Sequence, residues 1–125
     1  MKMYLNESQT AKLIELGLEK PKSISGYYQR GPYEYDAETN TKMVVYDDTQ
    51  YPIYAYSIGE LIEMLPQTIN VFYDLSIMSS HQGWWVLYGM IGDGDMWSIE
   101  HEVYRNDLID ALYAMILQLK EEGVI

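Results

Sequence analysis

Three consecutive segments between residues 69 and 103 carry the two-residue period of half-buried β-strands, and their turns allow one mutual register. From Ile69 to Ile77 the odd positions are Ile, Val, Tyr, Leu and Ile, while the even ones are Asn70, Phe72, Asp74 and Ser76. Trp84 to Ile91 is apolar on both faces and reads as a central strand; Met96 to Val103 alternates again. Asp93-Gly94 favours a two-residue hairpin turn, which pairs Gly92 with Asp95, Met90 with Trp97, Tyr88 with Ile99, Val86 with His101 and Trp84 with Val103. A loop at Ser80-His81-Gln82-Gly83 pairs Ile77 with Val86, Leu75 with Tyr88 and Tyr73 with Met90. Both hairpins then send the same residues to one face, as a single sheet requires. The segment is therefore expected to fold as a three-stranded antiparallel meander.

Three helices are punctuated around it. The first runs from Glu7 to Leu16, with Asn6 as N-cap, Gln9 able to reach back, and Gly17 and Leu18 closing a Schellman end onto Leu13. The second opens on the capping box Ser57…Glu60, turns Ile58, Leu61, Ile62 and Leu65 inward and stops at Pro66. The third spans Asn106 to Glu122, where Leu108, Ile109, Leu112, Met115, Ile116 and Leu119 make one wide apolar face and Asp110, Gln118 and Glu121 mark the wet side. That face is expected to cover Tyr73, Leu75, Val86, Tyr88, Ile99 and His101. Between the first two helices, Met43 to Tyr46 and Ile53 to Tyr56 suggest a hairpin around residues 47–50, with Tyr33 to Tyr35 as a further edge. The expected fold is a single α+β domain: an antiparallel sheet, the meander plus N-terminal tyrosine-rich strands, packed by three helices.

Composition narrows the function more than any motif does. Thirteen tyrosines stand against a single phenylalanine, and eight of them lie between Tyr27 and Tyr56. A ring with a hydroxyl suits positions dry on one side and wet on the other, as at contact surfaces. Eight basic against nineteen acidic residues leave a net charge of −11, which disfavours direct binding to nucleic acid or to anionic membranes. There is no cysteine, hence no disulfide, thiolate metal site or thiol nucleophile, and the chain reads as cytoplasmic.

Motif chemistry is sparse. Strand parity puts His101 on the core face beside Val86, where an imidazole is either a satisfied core residue or a base, while Glu100 and Glu102 point to the other face. His-Glu-x-x-His spacing fails because Arg105 stands where a second histidine is needed. A calcium loop from Asp93 would need glycine at Ser98 and glutamate at Tyr104. Neither phosphate-binding glycine motif occurs. His81 reads as a solvated loop residue. No cofactor is expected.

The outer face of the meander is the stronger candidate. Parity gives it Trp85, Leu87 and Ile91, beside Phe72, Met78 and Met96, with Glu100 and Glu102 at one rim. Uncovered, this is an apolar patch larger than monomers usually expose; covered by a helix or by the tyrosine-rich region, it belongs to a three-layer domain.

The phrases Gln9-Thr10-Ala11-Lys12-Leu13-Ile14-Glu15-Leu16-Gly17, Ser57-Ile58-Gly59-Glu60-Leu61-Ile62-Glu63-Met64-Leu65-Pro66 and Asp107-Leu108-Ile109-Asp110-Ala111-Leu112-Tyr113-Ala114-Met115-Ile116 resemble a group of short hypothetical proteins of gut anaerobic bacteria and their prophage-like elements. The resemblance implies a small accessory protein of mobile-element origin and transfers no catalytic residue.

The sequence thus favours a non-enzymatic binding or accessory protein. Its expected contact residues are Trp85, Leu87, Ile91, Met96, Glu100 and Glu102, and its partner a protein or a second copy of the chain. The alternative is a small enzyme or ligand-binding domain whose cleft gathers His101, Tyr88 and Tyr73.

Overall fold

A computed structural model describes residues 1–29, 33–36, 38–39, 41–44, 49–92 and 97–125, with only the backbone described at 33–36, 41–44 and 97. The order of elements is α1 (Glu7–Glu15), β1 (Ile24–Tyr28), β2 (Tyr33–Asp36), β3 (Thr41–Val44), β4 (Tyr51–Tyr54), α2 (Ile58–Met64), β5 (Thr68–Ile69), β6 (Tyr73–Ser80), β7 (Gly83–Ile91), β8 (Trp97–Arg105) and α3 (Leu108–Glu121). The fold is α+β, with antiparallel sheets and three helices.

Local chemistry sets the helix ends. Asn6 Oδ1 accepts from Gln9 N at 2.8 Å, and Asn6 N donates to Gln9 Oε1 at 3.1 Å. Gly17 takes φ 88°, so Leu18 N reaches Leu13 O and Gly17 N reaches Ile14 O, the expected Schellman closure. Ser57 and Glu60 form the second capping box. α3 begins later than expected: its N-cap is Asp107, whose side chain makes no capping bond.

The core lies between the helices and one face of the four-stranded sheet β5-β6-β7-β8. All six apolar positions expected along α3 are buried there, with Leu13, Leu61, Leu65, Val86, Tyr88 and Val103. Burying each such side chain stabilises by about 1.5–3 kcal/mol, so this face carries most of the fold's cohesion. Ile62, expected inward, is exposed instead, since a helix of only two turns presents one narrow stripe to α3.

The β6–β7 register is the expected one: Ile77 pairs with Val86 and Leu75 with Tyr88. The hairpin is tighter than expected, with Ser80 paired to Gly83 around His81-Gln82, and His81 is exposed. The first strand is shorter. Asn70 and Val71 adopt φ of 54° and 68°, which breaks the extended run and turns β5 back onto β6.

The β7–β8 register departs from expectation. Val86 pairs with Val103, Tyr88 with His101 and Trp84 with Arg105, a shift of two positions that preserves which residues share a face. The next pair is Gly89 with Ile99, so Glu100 is an extra residue, a β-bulge, and parity reverses beyond it. Ile99 therefore leaves the core face and is exposed. Ile91 pairs with Trp97, where a two-residue turn would have paired it with Met96; the turn at 93–96 lies outside the described residues.

The tyrosine-rich strands do not extend the sheet. β1 pairs with β4 and β2 with β3, a nested ribbon with its own ladders, in place of the expected pairing of 43–46 with 53–56. Residues 45–48 lie outside the described residues. The foot of the ribbon is bound to α2: Glu60 accepts from Lys22 N, Ser23 N, Ser57 N and Ser57 Oγ, and Ala55 N donates to Ser23 O.

Candidate functional site

The antiparallel ladders place side chains in rows across the outer face. Met78 pairs with Trp85 and Trp85 with Tyr104; in the next row Ser76 pairs with Leu87 and Leu87 with Glu102. Directly opposed side chains on one face lie close enough to touch, so each row acts as a unit. The Trp85 indole N–H donates to Glu102 Oε2 at 3.1 Å, which fixes the ring over the second row. Tyr104 OH shares a hydrogen bond with Ser80 Oγ at 2.8 Å.

Exposure divides the expected contact residues. Trp85 is 36% exposed, Ile91 59%, and Tyr104, Glu100 and Glu102 are exposed as well. Leu87, by contrast, is 1% exposed and lies outside the core cluster, so it is a dry centre on the outer face. Met96 lies outside the described residues. Tyr104 and Met78 complete the row around Trp85. Tyr104 was missed because the two-position shift in β8 brought it opposite Trp85; Met78 was legible from parity.

A cleft of about 650 Å³ opens at this end of the sheet, lined by Trp85, Glu102, Val103, Tyr104, Arg105 and Gln118. Its lining joins the outer face to α3 around β8, the last strand in the sheet.

On the inner side, His101 is held from α3. Its Nδ1 lies 2.9 Å from Glu122 Oε2 and 3.2 Å from the Gln118 amide, with the His101 side chain 10% exposed. A carboxylate only accepts, so the imidazole presents Nδ1–H to Glu122, and Gln118 Nε2, itself a donor, packs beside that nitrogen without bonding it. Gln118, expected on the wet side, is half-buried. A cleft of about 570 Å³ runs past His101 and Glu122, lined also by Thr68, Asn70 and Glu100; the bulge thus brings Glu100, expected at the outer rim away from His101, into the His101 cleft. Tyr88 and Tyr73 share the sheet face of His101 but face the core. The Tyr88 ring meets the imidazole edge-on at 6.4 Å, and its hydroxyl donates to Pro66 O at 2.6 Å. Burial pushes the Tyr88 hydroxyl up to about 12.

Among the described residues, no three His, Asp or Glu side chains gather as metal ligands, and no helix is long and apolar enough to cross a membrane. Compared with protein-family models, with curated proteins and with solved structures, the chain matches none.

Proposed function

We propose that this chain is a binding protein that works through a protein contact on the outer face of its sheet. One observation carries the reading: Trp85 stands exposed in a cross-strand row with Met78 and Tyr104, its indole oriented by Glu102. An aromatic anchor set above a dry apolar centre and edged by carboxylates has the anatomy of a protein interface. The carboxylates steer a basic-rimmed partner and set the salt dependence of its approach. The resemblance to short hypothetical proteins of gut anaerobic bacteria and their prophage-like elements implies a small accessory protein, which is compatible with such a role. Immobilised wild type and Trp85→Ala, with Tyr28→Ala on the ribbon as control, test the reading. Wild type and Tyr28→Ala are expected to retain a specific partner or self-associate while Trp85→Ala does not. Equal retention by Trp85→Ala contradicts it.

A second reading, a small enzyme or ligand-binding domain, draws on the His101–Glu122 pair at 2.9 Å beside an open cleft. A carboxylate on Nδ1 orients an imidazole and leaves Nε2 for a ligand. Titrating small-molecule libraries while following the His101 ring resonances tests it. Shifts that are lost in Glu122→Gln support a site, and unchanged resonances remove the reading.

A further inference from the structure

We infer that the open edge of β8 accepts one more antiparallel strand, donated by an extended basic segment of another protein. The inference rests on the contact-surface reading above and narrows it to a partner chemistry. β8 ends the strand order and runs nine residues, Trp97–Arg105, whereas the opposite edge, β5, has two. An edge of that length offers a row of backbone donors and acceptors, and among the described residues no strand pairs with its outer side. The cleft that joins Trp85 on one side of the sheet to Gln118 on the other opens directly onto this edge. β8 has neither lysine nor proline; of the usual guards against strand addition it carries one bulge, at Glu100, and the charged side chains of Glu100, Glu102 and Arg105, which a partner must answer.

Charge selects the occupant. Glu100, Glu102 and Glu122 flank the edge, against Arg105 at its end as the one lysine or arginine among the described residues of the two clefts, in a chain of net charge −11. A second copy brings the same net charge of −11, and two-fold antiparallel pairing centred on His101 would set Glu100 of one copy opposite Glu102 of the other, where like charges destabilise a ladder. An extended segment with lysine or arginine at alternate positions gains the backbone bonds and answers the carboxylates together.

The probe is a capped synthetic peptide of alternating lysine and valine, with alternating glutamate and valine as control, titrated into the full chain. The lysine peptide is expected to bind and to slow amide exchange along β8. Its affinity is expected to fall roughly tenfold in Glu100→Lys, and also in Glu102→Gln, which keeps an acceptor for Trp85. No binding, binding without β8 protection, equal binding of the glutamate peptide, or indifference to both substitutions overturns the inference. So does β8 protection in a peptide-free dimer, which makes the occupant a second copy. If any of these occurs while Trp85→Ala still abolishes partner retention, strand addition fails and the contact surface stands.

Discussion

Glu60 shows how one side chain organises a region. Its carboxylate accepts from the entry to the ribbon and from its own helix cap, at 2.8 Å from Lys22 N and 3.1 Å from Ser57 N. Burial works to raise its carboxyl, but the bonds from Lys22, Ser23 and Ser57 outweigh that and hold it below the ordinary glutamate range. A depressed folded value contributes stability present above the unfolded pKa of 4.5 and lost as pH falls through the folded value. Glu60→Ala is therefore expected to cost about 1–2 kcal/mol near neutrality and to flatten the acid limb of the stability curve, read by denaturant titration across pH. Tyr88 acts at the other end of the scale. Its hydroxyl ionises near 10 unfolded and about 12 folded, so stability is lost as pH rises through that interval. Tyr88→Phe is expected to remove that alkaline loss and to cost about 1 kcal/mol at neutral pH through the orphaned Pro66 carbonyl, both read from melting curves. Of these two residues, Glu60 was legible as a cap, but its bonds to Lys22 and Ser23 were not, because nothing local marks residues that meet across so long a loop.

At the scale of elements, the signals that survived are those with short-range chemistry. Capping boxes, the Schellman glycine and the apolar stripe of α3 all depend on residues within a turn or two of each other, and all formed. The β6–β7 register held because alternation on both strands admits one pairing. The β7–β8 register differs from the expected one because the Glu100 bulge carries no glycine or proline to announce it, and because Asp93-Gly94 favours a two-residue turn that the Ile91–Trp97 pair does not fit. The ribbon was misread for a related reason: its strands pair in nested order, and pattern alone does not say whether β4 meets β3 or β1. Two tests belong here. A Cβ on Gly83 would lie 2.6 Å from Arg105 O and 3.1 Å from Tyr104 OH, so Gly83→Ala must push β7 and β8 apart. It is expected to cost about 1–3 kcal/mol in denaturant titration and to release the Ser80–Tyr104 bond. Leu112→Asp puts a charge into the centre of the α3 face and is expected to abolish cooperative unfolding; a wild-type melting midpoint would contradict the packing of α3 on the sheet.

For the whole molecule, the two faces of one sheet differ in how their side chains are buried. The inner face holds the core, and its side chains are accounted for by α3 and the neighbouring helices. The outer face carries the oriented Trp85 row, and among the described residues no strand pairs with the outer side of β8, in a chain of net charge −11. Strand parity identified this face from the sequence, together with Trp85, Leu87 and Ile91. It did not separate Leu87 from its neighbours, since parity assigns a face and says nothing of depth. That difference gives the most direct test of the account. Melting midpoint and sedimentation mass should be measured side by side for wild type, Trp85→Ala and Leu87→Ala, with and without partner. The account predicts that Leu87→Ala lowers stability by about 2–5 kcal/mol, as for a buried leucine, whereas Trp85→Ala melts near wild type and loses association. A Trp85→Ala protein destabilised as badly as Leu87→Ala, with its association unchanged, would make Trp85 a core residue and contradict the contact surface.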